Sequence, residues 1–243
     1  MVKSNSISVL VHIFYSDGFA ELLPELKNLG KITNQFYFNL CSSNENQETI
    51  SAILSFFPGS IIIQTPNKGK DIGAKLALID LQIRLNDNSD FSIFLHDKRS
   101  PHTSTGKVWR EKLLKIVQPD HTHQIINIFE TKKSVGLISA KEFITSEYDE
   151  GKKTFRCTSN SQLKTLIEKF GFQSRKFEFV GGTMFWVRTK IYNDFFSAVS
   201  PLQMRATLEE GNIMDFAQGS QTHAWERILS WIVLNKGFTI KGI

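Results

Sequence analysis

Between residues 7 and 95, four short apolar runs alternate with stretches of helical period, and this alternation constrains the fold more than any other feature of the chain. Ile7–Phe14, Gln35–Leu40, Ser60–Gln64 and Phe91–Leu95 read as strands, while Phe19–Leu29, Glu45–Phe57 and Asp71–Leu85 carry apolar residues at helical spacing. A parallel pair of strands needs a crossover between them, and a helix is the usual one, so this order implies βαβ units. The expected class is α/β: a mostly parallel central sheet with helices on both faces. After residue 100 the rhythm loosens. Lys107–Val117 reads as a helix, Val135–Ala140 as a short strand, and the polar Glu142–Asn160 as an exposed loop able to act as a lid. Ser161–Phe170 is a helix stopped by Gly171, Phe177–Arg188 is strand-like around a Gly-Gly interruption, and Thr222–Asn235 is an amphipathic helix. With 243 residues and no internal repeat or clear linker, one domain over 1–243 is expected.

A hydrophobic content of 41%, with 12% aromatic residues, is enough for a substantial core. The net charge of +5 suits a phosphate-bearing ligand or an anionic membrane surface, and falls short of the concentrated basic stripe of a nucleic-acid binder. Cys41 and Cys157 lie far apart, without the spacing of a disulfide framework or a zinc ribbon. A reduced, cytoplasmic setting follows as the default. The start of the chain runs into a short strand rather than a signal segment, and no apolar run reaches the roughly 18 residues of a membrane span.

Three dense segments stand out against this background. The fourth strand ends in His96-Asp97-Lys98-Arg99-Ser100-Pro101-His102, and open α/β sheets bind ligands beyond the carboxyl ends of their strands. Gly181-Gly-Thr-Met-Phe-Trp186 and His223-Ala-Trp-Glu226-Arg227 follow downstream. Between strand three and its helix, Asn67-Lys68-Gly69-Lys70-Asp71 forms a glycine-containing turn whose N–H groups and lysines suit an anion, although Asp71 is equally suited to cap the helix.

Taken together, Asn67-Lys-Gly-Lys-Asp-Ile-Gly73, Leu95-His-Asp-Lys-Arg-Ser100, Gly182-Thr-Met-Phe-Trp186 and His223-Ala-Trp-Glu-Arg227 resemble the rhamnan synthesis protein F family, with which the chain shares these segments in order over nearly its whole length. The resemblance implies a GT-A-like glycosyltransferase that moves a sugar, such as L-rhamnose, from a nucleoside diphosphate donor to a bacterial cell-surface glycan or lipid-linked acceptor. Residues 1–100 would then be the nucleotide-binding half and 101–243 the acceptor-side half. No organic cofactor is implied, and a lipid-linked acceptor would bring the enzyme to the inner face of the cytoplasmic membrane.

Sugar transfer from such a donor needs a cradle for the nucleotide, charge for the departing diphosphate and a base for the acceptor hydroxyl. Phe14, Tyr15 and the turn Asn67–Asp71 are the candidates for the cradle. His96, Lys98, Arg99 and His102 are candidates for the phosphates, and Gly182 and Trp186 for the sugar. GT-A enzymes commonly carry a D-x-D pair where this chain has His96-Asp97-Lys98. Either Asp97 holds Mg²⁺ or Mn²⁺ with help from elsewhere, for example His223, or Lys98 and Arg99 neutralise the leaving group directly. Glu226 is the first candidate base, with an ion pair to Arg227 or Lys98 as its alternative role, and Asp215 is the second. Two other classes compete: a non-catalytic glycan- or nucleotide-sugar-binding module, and a metal-dependent nuclease built on Pro119-Asp120 and Glu130-Thr131-Lys132, with Ile125–Phe129 as a strand between them.

Overall fold

In a computed structural model, which describes residues 5–97, 106–174, 176–213 and 219–243, the first four runs form β1 (Ile7–Ile13), β2 (Gln35–Cys41), β3 (Ile61–Thr65) and β4 (Phe91–His96). The helices between them are α1 (Gly18–Leu29), α2 (Gln47–Phe56) and α3 (Lys70–Arg84). Then come α4 (Gly106–Leu113), α5 (Pro119–Thr131), β5 (Val135–Ser139) and the short strands β6 (Ile144–Ser146), β7 (Tyr148–Asp149) and β8 (Thr154–Phe155). The chain closes with α6 (Asn160–Phe170), β9 (Glu178–Val180), β10 (Phe185–Arg188), α7 (Thr189–Phe196), α8 (Pro201–Ala206), α9 (Gln221–Asn235) and β11 (Thr239–Gly242).

Seven strands make the central sheet in the order β11-β5-β10-β4-β1-β2-β3, with β10 the antiparallel member. The α/β class expected from the alternation is therefore present, and strands from after residue 100 extend the same sheet. Alternation along each strand sorts its two faces. Val9 and Val11 of β1, Phe36 and Phe38 of β2 and Ile93 and Leu95 of β4 are buried on the face where Phe19 of α1 and Phe57 pack against Phe38. The same face carries α5, whose Phe129 stacks on Phe91 at 4.5 Å between ring centres. The opposite face is mixed: Ser8, Leu10 and His12 alternate with the apolar set on β1, and α3, α7 and α9 cover it.

Two expectations need correction. Ile125–Phe129 lies inside helix α5, where Ile125, Ile128 and Phe129 supply its buried stripe, so the strand considered in the nuclease reading is a helix. Segment 142–160 is largely exposed, as its polarity suggests, but it is pinned to the body by short strands and aromatic anchors rather than being a free loop. Phe143 and Phe155 are buried, and Phe155 stacks with Trp231 of α9 at 5.3 Å. Its many polar residues hide the few aromatic anchors that decide its packing. No helix among the described residues is long and apolar enough to cross a membrane.

Candidate active site at the carboxyl edge of the sheet

Because β1 to β4 run parallel, their carboxyl ends open onto one edge, and the dense sequence segments meet there. Asp97 follows β4 and is 5% exposed. Its carboxylate accepts the Phe14 N–H, 2.9 Å from both oxygens, and the Tyr15 N–H at 2.7 Å. The Asn44 side chain holds the Phe14 carbonyl from the other side. Gly18, at the start of α1, lies so close that a Cβ there would overlap Asp97 Oδ2. Asp97 thus ties the end of β1 to the end of β4 and fixes the Phe14–Tyr15 pair, whose rings meet edge to face at 5.0 Å.

Beside it lies a buried polar chain that runs across the sheet. Thr65 of β3 bonds Asn39 of β2 at 2.9 Å, and Asn39 Oδ1 lies 3.0 Å from His12 Nδ1 on β1. His12 pairs in register with His96 on β4. Lys75 of α3, with a side chain only 1% exposed, contacts His96 Nδ1 at 3.2 Å and Asp71 Oδ2 at 2.8 Å. Thr183 closes the chain by donating to Asp71 at 2.5 Å. Burial, followed by the Lys75 charge, pushes the His12 imidazole down to about 4, so it is neutral at physiological pH. Burial works against the Asp71 carboxylate, but Lys75 and then His96 outweigh it and hold this group well below the usual carboxylate range. Asp71 is accordingly the ion-pair partner of Lys75 within the first turn of α3, and makes no capping bond.

The Gly181–Thr183 turn carries the link onward. Gly182, at φ +75°, donates its N–H to Glu226 Oε1 at 2.9 Å. Arg227 sits between Glu226, at 2.5 Å, and Glu147, at 3.0 Å, and lies over the Phe179 ring. Glu226 is thus in the ion pair foreseen as its alternative role. His223, in the first turn of α9, places Nδ1 2.5 Å from the Ser220 hydroxyl.

Several predicted site residues sit differently from expectation. Trp186 is fully buried and donates its indole N–H to the Ile116 carbonyl at 3.0 Å, so neither ring face is open to a sugar. Pairing opposite Ile93 on the apolar face of the sheet makes it core. The indole beside Gly182 is instead Trp109 of α4, which is 44% exposed. The Asn67–Asp71 turn is already engaged: Gly69 donates its N–H to the Glu209 carbonyl at 2.7 Å, Lys68 pairs with Glu210 at 3.5 Å, and Asn67 donates to Asn212 at 3.1 Å. Lys70 is the first residue of α3, at φ +50°. The Glu209 carboxylate also accepts the N–H groups of Gln221 and Thr222, so one short segment caps α9 and braces α3. Lys98, Arg99, His102 and Asp215 lie outside the described residues.

Sequence reasoning missed His12, Asn39 and Lys75. A signal was present: Asp71, Lys75 and Gln82 recur at helical spacing along the buried face of α3, and Ser8 and His12 fall on one face of β1.

Among the described residues the donors do not assemble a divalent-cation site. Asp97 spends its oxygens on backbone N–H groups, His223 Nδ1 faces a hydroxyl, and among the described residues no three His, Cys, Asp or Glu side chains converge. A separate cavity of about 660 Å³ opens at the amino edge of the parallel strands. There Arg188 donates to the Val135 and Phe129 carbonyls, Lys190 pairs with Asp194, and Glu130 and Asp90 accept from Asn5 and Ser6, so its carboxylates already have structural partners.

The sequence model of the family described as rhamnan synthesis protein F matches residues 1–238. A protein of Xanthomonas campestris pv. campestris described as uncharacterized protein WxcX is 27% identical over 98% of this chain, in each of two strains. The match covers 33% of those proteins, so the chain spans about a third of the length of these relatives. Among solved structures, a putative glucose-1-phosphate thymidylyltransferase from Bacillus anthracis aligns over 98% of this chain and 87% of its own, with a TM-score of 0.49 at 10% identity. Glucosyl-3-phosphoglycerate synthase from Mycobacterium tuberculosis aligns over 81% of this chain and 66% of its own, with a TM-score of 0.39 at 14% identity. These likenesses are distant, and the fold class rests on the sheet order itself.

Proposed function

The chain belongs to the rhamnan synthesis protein F family, and from that premise we propose that it is a glycosyltransferase domain of GT-A-like design. It transfers a sugar, with L-rhamnose as the expected case, from a nucleoside diphosphate donor to a cell-surface glycan or a lipid-linked precursor. The observation that carries this reading is the convergence of its four family segments at the carboxyl edge, where Asp71, Lys75 and His96 join the Thr183 turn and Asp97 braces Phe14 and Tyr15. A donor nucleotide fits beside Phe14 and Tyr15, whose backbone Asp97 orders in advance, because a prearranged cradle lowers the ordering cost of binding.

Among the carboxylates singled out in the sequence, Asp97 and Glu226 already hold backbone N–H groups, and Glu226 is also paired with Arg227. Removal of the acceptor proton is therefore assigned to Asp215, in a single displacement that inverts the anomeric centre. Lys98 and Arg99 neutralise the diphosphate. Trp109 replaces Trp186 as the aromatic wall, since an exposed indole face stacks on the C–H face of a sugar. A lipid-linked acceptor would be met at the inner face of the cytoplasmic membrane, where the net charge of +5 favours an anionic surface.

The test is a panel of dTDP-, UDP- and GDP-sugars, dTDP-L-rhamnose among them, with release of nucleoside diphosphate as the readout and Mg²⁺ or Mn²⁺ present or absent. The reading expects turnover of one donor that falls at least a hundredfold in Asp215→Asn while binding persists. Binding of a donor without any turnover would favour the second reading, a non-catalytic nucleotide-sugar-binding module, which the committed oxygens of Asp97 and Glu226 support. Release of nucleotide unaffected by Asp215→Asn would remove the base assignment.

A further inference from the structure

The turn between β9 and β10 holds a strained residue. Among the described residues only Lys70, Asn86, Lys153 and Thr183 combine a side chain with a positive φ, and of these Thr183 alone is β-branched. The turn runs from Val180 to Thr183 and is closed by the Thr183 N–H on the Val180 carbonyl at 3.4 Å. Gly182, at φ +75°, supplies the positive φ that a type II turn needs at its third residue. That accounts for Gly182 and not for Thr183, which follows it at φ +49°. A β-branched residue in the left-handed region is an outlier that persists only where its surroundings over-determine it.

The surroundings do this here. Thr183 is 1% exposed, and its hydroxyl donates to Asp71 Oδ2 at 2.5 Å. The Gly181 N–H goes to the Phe143 carbonyl at 2.8 Å, the Gly182 N–H to Glu226 at 2.9 Å, and the Met184 carbonyl accepts from the Ser139 hydroxyl at 2.9 Å. Each residue from 181 to 184 is thus bonded to a different part of the chain. A glycine would adopt the φ of Thr183 without strain, so what threonine adds is the hydroxyl on Asp71. The held turn in turn supports an indole. A Cβ at Gly182 would lie 3.2 Å from Leu113 and 3.7 Å from Trp109 Nε1, so its α-carbon packs against α4. Phe143, whose carbonyl takes the Gly181 N–H, also meets the Trp109 ring at 5.3 Å between centres. Trp109 is still 44% exposed.

We propose that Thr183 is a positioning residue: by anchoring the strained turn to Asp71 it seats Trp109 of α4, and so sets recognition of the sugar of a nucleotide-sugar donor separately from its diphosphate. The role at the sugar rests on the glycosyltransferase reading, whereas the seating of Trp109 does not. Thr183 acts from inside the protein through Gly182, and Trp109 is the group that meets the ligand. A wall held at a fixed angle before binding lowers the ordering cost of stacking on a sugar.

The test is ¹⁹F NMR of the protein labelled with 5-fluorotryptophan, with Trp109 and Trp231 assigned through Trp109→Phe and Trp231→Phe. Thr183→Val keeps the shape and removes the hydroxyl, Thr183→Gly removes hydroxyl and strain together, and Thr183→Ser keeps the hydroxyl. The Trp109 signal should shift or broaden in the valine and glycine variants and stay as in wild type in the serine variant, while the Trp231 signal stays in all three. Calorimetric titration adds the functional arm, with dTDP against dTDP-L-rhamnose, UDP against UDP-glucose and GDP against GDP-mannose. For whichever pair binds wild type, Thr183→Val and Thr183→Gly should weaken the nucleotide sugar about tenfold and leave the nucleoside diphosphate within about twofold, and Thr183→Ser should bind both as wild type does. An unchanged Trp109 signal in folded Thr183→Val and Thr183→Gly proteins overturns the seating. Equal losses for nucleotide sugar and nucleoside diphosphate make Thr183 a brace of the fold alone and overturn the role at the sugar. If neither variant folds, wild type decides: the nucleotide sugar should move the Trp109 signal further than its nucleoside diphosphate does, and equal movement overturns the proposal. If no nucleotide or nucleotide sugar binds wild type, the glycosyltransferase reading fails, and the Trp109 signals decide the seating separately.

Discussion

Replacing Asp97 by alanine tests whether this carboxylate is a brace. Its oxygens accept the N–H groups of Phe14 and Tyr15 at 2.7–2.9 Å, and only 5% of the residue is exposed. Hydrogen bonds to a charged acceptor contribute roughly 1.5–3 kcal/mol each, and removing the acceptor strands two donors in a site with little water. The two together give a loss of about 4 kcal/mol. For a domain of this size each kcal/mol moves the melting temperature by roughly 2–4 °C, so Asp97→Ala should melt about 8–16 °C lower than wild type in a calorimetric scan. Asp97→Asn keeps one acceptor oxygen and should lose about half as much. The same scan carries the refutation: a melting temperature within about 2 °C of wild type in Asp97→Ala would mean that the carboxylate does not tie β1 to β4. A residue kept only to hold a ligand would behave that way, or would stabilise the protein when removed.

Three further outcomes follow from the same structure. Trp186→Phe should cost about 1–3 kcal/mol in urea unfolding, from the lost bond to Ile116 and the smaller ring, and should leave nucleotide affinity unchanged, since a buried indole meets no ligand. Arg227→Ala leaves Glu226 and Glu147 without their shared cation in a site where the arginine side chain is 11% exposed, and a loss of about 3–5 kcal/mol is expected by the same method. Burial and the Lys75 charge hold His12 at about 4 in the native state against 6.5 when unfolded, so below pH 6.5 the unfolded chain takes up a proton that the native ring refuses. Stability from this site should therefore fall by about 3 kcal/mol between pH 6.5 and 4 and level off below, and His12→Gln should remove that part of the pH dependence.

The parallel half of the fold was legible because each of its strands has a strong local pattern. A seven-residue run such as Ile7–Ile13 reports both its own type and, through the helix that follows, its crossover. Ile125–Phe129 misled because four apolar residues around Asn127 look alike in a strand and in the buried stripe of a helix; Pro119 at the first position of α5 is the cue that favoured the helix. Segment 142–160 misled for the opposite reason, since Phe143 and Phe155 anchor an otherwise polar stretch through contacts with residues far along the chain.

The site was legible as a set of segments rather than as roles. Asp97, Asp71 and Glu226 all lie where the sequence pointed, at one edge, yet each is bonded to groups that local spacing does not reveal: the N–H groups of Phe14 and Tyr15, the Lys75 ammonium and the N–H of Gly182. Trp186 illustrates the same limit. An aromatic residue after a Gly-Gly turn looks like a ligand wall, and only its pairing with β4 on the apolar face shows it to be core.

The central claim is that the carboxyl edge receives a nucleoside diphosphate, and thermal-shift binding of dTDP, UDP, GDP and CMP, each with and without Mg²⁺ or Mn²⁺, tests it most directly. A ligand that binds only the native state at a hundred times its Kd stabilises by about 2.7 kcal/mol, which for this size of domain is a rise of roughly 5–11 °C. The account predicts such a rise for one nucleoside diphosphate and little for the others. No rise with any of them, at millimolar concentration and with either metal, would contradict it.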